Sequence, residues 1–120
     1  MSLAAYQSVR RLSEAPRDTE HRLMGQITGE MIAARDAQKE RAELVEPLHR
    51  NREMWNLFSA DCTSPGNGLP SDLRASIISI ALWVDRFSSE VIAGREQIDD
   101  LIEVNRSVME GLAAHRLASA

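Results

Sequence analysis

Three histidines, one cysteine and a pair of adjacent carboxylates have the most chemical reach in this 120-residue chain. His21, His49 and His115 stand far apart and form no H-x-x-x-H pair, so no zinc site is expected. Cys62 has no second thiol with which to form a disulfide or share a metal. At helical spacing from Trp55 and Phe58, it reads as a small apolar core residue. Asp99 and Asp100 suit the first turn of a helix, where carboxylates meet the positive end of the dipole. The fragment GNGLPS, residues 66–71, resembles a phosphate-binding glycine loop only in part. No strand precedes it, and neither a third glycine nor a Lys-Ser/Thr pair follows. No nucleophile, base and orienting group converge, so no catalytic residue, cofactor or metal is expected.

The elements that must position these residues are helices. Apolar residues make up 43% of the chain and aromatics only 4%, and no segment alternates as a half-buried strand does. Pro16 suits the opening turn of a first helix, with Asp18 and Glu20 placed for its dipole. Its apolar face is Leu23, Ile27, Met31 and Ala34. The RDAQKERAE stretch, residues 35–43, continues that helix as a solvated or partner-seeking end.

Pro47 interrupts the first helix or opens the second, whose stripe is Leu48, Asn51, Trp55, Phe58 and Cys62. After a turn over residues 63–68, Pro70 and Asp72 start a third helix carrying Leu73, Ile77, Ile80, Val84, Phe87 and Val91. Ile78, Leu82 and Trp83 add apolar surface elsewhere, which predicts a helix buried on most sides. Gly94 is its expected C-cap. A fourth helix follows, with Ile98, Leu101, Ile102, Val108, Met109 and Leu112 on its face.

The expected fold is an all-α, single four-helix bundle-like domain over residues 16–114. A lead of residues 1–15 precedes it and a tail of residues 115–120 follows. Trp55 and Trp83 are expected in the core. Between Arg74 and Asp85 lie only ten uncharged residues, against the roughly 20 needed to span a bilayer.

Two amides interrupt apolar stripes. Asn51 lies on the second helix's stripe, and Asn105 falls near the centre of the fourth's at about 100° per residue. Buried amides need partners, so each is expected to fix helix register or cap a loop carbonyl, in preference to gripping a ligand. Gly25 and Gly29, four apart in the first helix, permit close helix approach or simply loosen the helix.

A formal charge of −4 disfavours a dedicated nucleic-acid binder, which needs a clustered basic face. No apolar stretch near residue 1 has the length of a secretory signal, so a cytoplasmic location is expected.

Read together, HRNREMW, SPGNGLPSDLRASIISIALWVDR and LIEVNRSVMEGL resemble the FlaF family of flagellar regulators, and AYQSV and EAPRDTEHRL are similar to that family's opening. The motif residues are Asn51, Arg52, Trp55, Asn67, Leu69, Pro70, Leu73, Arg74, Trp83, Asn105 and Arg106. The resemblance implies a cytoplasmic helical protein that binds flagellin as a secretion chaperone and promotes flagellin synthesis and export, beside the companion regulator FlbT. The alternative is a regulator acting directly on flagellin mRNA through Arg10, Arg11, Arg17 and Arg22, which the net acidity disfavours. Tyr6, Val9 and Leu12 lie three apart ahead of Pro16. With Leu23, Met24, Ile27 and Met31 they are the expected flagellin-binding surface, since methionines suit adaptable contacts.

Overall fold

A computed structural model describes the backbone of residues 16–119 and, within it, the side chains of residues 19–114. Four α-helices account for most of this span: α1 Pro16–Asp36, α2 Val45–Thr63, α3 Ser71–Ile92 and α4 Asp99–Ser119, with a 3-10 turn Arg41–Leu44 ahead of α2. The fold is all-α, and the described residues contain no strand. The stretch set off as a tail from residue 115 continues α4 as far as Ser119.

Local chemistry sets most boundaries. Pro16 is the first residue of α1 and Pro47 falls in the first turn of α2, where a missing N–H costs nothing. The glycine-containing loop between α2 and α3 is a tight turn. Gly66 and Gly68 take φ of +79° and +88°, which favour glycine. Asn67 pins this turn from both sides: its Nδ2 donates to the Asp61 carbonyl (3.0 Å) and its Oδ1 accepts from the Leu69 amide (3.2 Å). Leu69 is buried beneath, and Pro70 caps α3.

Gly94 ends α3 with φ +81°. The Gly94 amide donates to the Val91 carbonyl (3.0 Å) and the Arg95 amide to that of Glu90 (2.9 Å), the paired bonds of a Schellman cap. The Arg95 guanidinium then grips the Glu90 carboxylate through Nε (2.6 Å) and Nη2 (3.2 Å), holding Glu90 below the ordinary carboxylate pKa.

Three expectations are corrected. The first helix does not run on through residue 43. It stops at Asp36 in a second Schellman turn, with Gln38 donating to Arg35 (2.9 Å) and Lys39 to Ala34 (3.1 Å). Gln38 stands at φ +56° in the place glycine usually takes, which is why composition hides this turn.

Nor is α3 buried on most sides. Ile77, Ala81, Val84, Ser88 and Val91 form one buried row, whereas Ile78, Ile80, Trp83 and Phe87 are half-buried and Leu82 is 63% exposed. The reason is arrangement: α2 packs along α3 and against α1, and α1 packs against α4, but α3 and α4 meet only sparsely. The central element is therefore α2, which buries Leu48, Asn51, Met54, Trp55, Phe58 and Cys62. Trp55 is fully buried as expected; Trp83 is not a core residue but half-covered, its ring stacked on Phe87 with centroids 4.6 Å apart.

Candidate functional site

Two features compete for the role of functional site, one closed and one open. The closed one is a chain of hydrogen bonds through the middle of the bundle. Trp55 Nε1, which can only donate, gives its hydrogen to Asn105 Oδ1 (2.9 Å). That fixes the Asn105 amide, whose Nδ2 then donates to Asn51 Oδ1 (2.9 Å) and Thr28 Oγ1 (3.0 Å). Thr28 Oγ1 in turn donates to the Met24 carbonyl (2.6 Å). Asn51, Asn105 and Trp55 are 0% exposed. Only Asn51 Nδ2 in this cluster has no hydrogen-bond partner among the described residues.

The chain joins α1, α2 and α4, and a slip of any one helix by a residue breaks it. Its work is register. The two amides, each expected to fix helix register or cap a loop carbonyl, bond to each other, and the turn at residues 64–69 is capped by Asn67 instead. Thr28 went unnoticed in the sequence; its signal is a small polar residue inside the buried Met24, Ile27 and Met31 row.

Among the other motif residues, Arg52 is a cross-helix tie. Arg52 crosses from α2 to α3, donating to the Asp85 carbonyl and the Ser89 hydroxyl and lying 3.5 Å from the Asp85 carboxylate. Leu73 packs at the edge of the core, Arg74 is half-buried and Arg106 is exposed. A parallel tie runs from Arg50 Nε to Glu30 Oε2 (3.0 Å), joining α2 to α1.

The open feature is the groove left where α3 and α4 diverge. Ile80 and Trp83 wall it from α3, Val104 and Val108 from α4, and Ser79, Glu103 and Ser107 complete the lining. All four apolar residues are half-buried. Val104 and Ile80 were not singled out as surface in the sequence, because helical spacing assigns residues to a face without saying whether a neighbour covers it.

Of the expected flagellin-binding residues, Tyr6, Val9 and Leu12 lie outside the described residues. Met24, Ile27 and Met31 are buried in the core, Met24 at 0% exposure, while half-buried Leu23 lines a shallow notch with Leu57 that Met24, Met54 and Phe58 also border. His49 makes a surface contact with Glu53 Oε1 (2.9 Å), and His21 is half-buried. Among the described residues, no group of three or more His, Cys, Asp or Glu is placed to hold a metal, and no helix is long and apolar enough to cross a membrane.

Comparison with known proteins yields one family match: a model described as flagellar protein FlaF matches residues 2–112. No curated protein and no solved structure matches the chain.

Proposed function

From the premise that the chain belongs to the FlaF family of flagellar proteins and so serves in the regulation of flagellar biosynthesis, we propose that it binds flagellin in the cytoplasm as a secretion chaperone. Flagellin synthesis then rises and falls with the chaperone's occupancy by unexported subunit. The observation that carries the reading is the apolar groove between α3 and α4, since a bundle leaving such a strip uncovered is suited to receiving a helix from a partner.

The register network supports the same reading from the other side. The network pins α4 to α2 and Arg52 ties α2 to α3, so together they keep the groove's walls at a fixed spacing before the partner arrives, which lowers the ordering cost of binding. Tyr6, Val9 and Leu12 are proposed to extend the contact toward half-buried Leu23. FlbT is proposed as a further partner in the same regulation.

Calorimetry of the full chain with purified flagellin tests the reading. Saturable one-to-one binding is expected, and no heat or mass change at tens of micromolar protein removes it. Direct action on flagellin mRNA predicts a different outcome: RNA binding that weakens steeply with added salt. The charge of −4 favours the protein partner.

A further inference from the structure

We propose that the α3–α4 groove selects an amphipathic helix whose apolar stripe is flanked by lysine or arginine, with Trp83 as the anchor on this chain. The proposal rests on the flagellin reading only for the partner's identity; the site and its chemistry come from the groove itself.

Three observations lead there. The groove's wall is apolar, its polar lining on the α3 side being Ser79 and on the α4 side Glu103 and Ser107. An extended peptide laid in it would bring backbone N–H and C=O groups against a surface with few partners for them, whereas a helix satisfies its own. The wall from Ser79 to Trp83 covers about one helical turn, roughly 6 Å at 1.5 Å per residue, so it takes a pair of side chains spaced i and i+3 or i+4.

Charge then selects among helices. Asp100, Glu103 and Glu110 are all exposed and follow Ser107's side of α4 by helical spacing. On the facing side of α3 the exposed charges are Asp72 and Arg86, and Glu90 is already engaged by Arg95. Arg106, three residues from Glu103, is exposed as well, so Asp72, Asp100, Glu103 and Glu110 stand against Arg86 and Arg106; the rim is net acidic, and a basic-flanked helix is steered in while an acidic one is repelled. A second copy of this chain would bring its own acidic rim to the contact, which disfavours self-association.

Trp83 supplies the anchor. It is half-buried and held flat against Phe87 by stacking, so little freedom remains to be lost when a partner covers it. Gly111 follows Val104 and Val108 on the same flank of α4 and, among the described residues, has open space where a Cβ would stand, so no described contact explains a helical glycine there. A partner backbone approaching that end of the groove does explain it.

The test uses the full chain and two synthetic 18-residue helices with identical leucine stripes, one flanked by lysines and the other by glutamates. The lysine helix is expected to bind, with a blue shift of tryptophan emission that disappears in Trp83→Phe. The glutamate helix is expected to bind at least tenfold more weakly, and Glu103→Lys to narrow that ratio. Ser107→Trp fills the groove from an exposed position and is expected to abolish binding with an unchanged melting temperature; Val104→Arg should also abolish it by placing a charge in the wall, with a lowered melting temperature because Val104 packs on the core.

Equal affinity for the two helices, binding to neither, or undiminished binding in both Ser107→Trp and Val104→Arg overturns the proposal. So does concentration-dependent dimerisation that Ser107→Trp removes. Flagellin that binds the parent and Ser107→Trp equally well keeps the flagellin reading and removes this groove. Lysine-helix binding lost in Ser107→Trp, with no flagellin binding by the parent, keeps the groove and removes flagellin.

Discussion

Trp55 and Trp83 are the same side chain in opposite settings. Trp55 stands in α2, fully enclosed, with its N–H spent on Asn105 and its ring tilted against Phe58 at 5.8 Å between centroids. Trp83 stands in α3 at the edge of a groove, half-covered and stacked on Phe87. The contrast separates a centre that is over-determined by directional bonds from a margin held only by shape. Stability should reside in the first and recognition in the second.

The largest effect is expected at the centre. Trp55→Ala should cost about 3–5 kcal/mol for the lost side chain, and more for the Asn105 acceptor it strands, against a typical domain stability of about 5–15 kcal/mol. Trp83→Ala removes a stack worth about 0.5–1.5 kcal/mol and only part of a buried surface, so its cost should be less than half as large. Urea denaturation of the two variants measures the difference. Equal losses would show that the groove wall is as much a part of the core as α2.

Next in size is the asymmetry between the two amides. Asn105→Leu strands the Trp55 N–H and the Asn51 carbonyl oxygen together, each at about 1–3 kcal/mol. Asn51→Leu strands a single Asn105 hydrogen and removes an Nδ2 that had no partner, so it should cost clearly less. The same urea series reads both. A larger loss for Asn51→Leu would mean that Trp55 Nε1 is not held by Asn105 as described.

The same contrast explains what was legible in the sequence. Pro16, Pro47, Pro70 and Gly94 act within a turn of themselves, so the helix ends they mark could be read from the chain alone. Both amides could be seen to sit on apolar stripes, but not to meet, because 54 residues separate them and only the packing of both α2 and α4 against α1 closes that distance. Ile80 and Trp83 belong to an apolar helix in either reading. Whether α4 covers them depends on how far two helices diverge, and no residue on α3 encodes that by itself.

The smallest expected effect concerns the end of α1, where strain takes the place of pinning. Gln38 at φ +56° and Arg41 at φ +49° both sit in the left-handed region that costs an L side chain about 1–2 kcal/mol. Gln38 is exposed and its side chain makes no tie across the bundle among the described residues, so Gln38→Gly relieves the strain at the cost only of a more flexible unfolded chain, an effect of about 0.4–1 kcal/mol. The net gain should be about 0.5–1 kcal/mol, a rise of a few degrees in Tm by calorimetry. Arg41 differs, since its guanidinium lies beside the end of α3, 3.6 Å from where a Cβ on Gly94 would stand. Arg41→Gly relieves the same backbone but releases that contact, so it should gain less or nothing. A melting temperature raised equally by both would show that the Arg41 side chain holds nothing there, and a fall with Gln38→Gly would show that the left-handed turn is sustained by the Gln38 side chain itself.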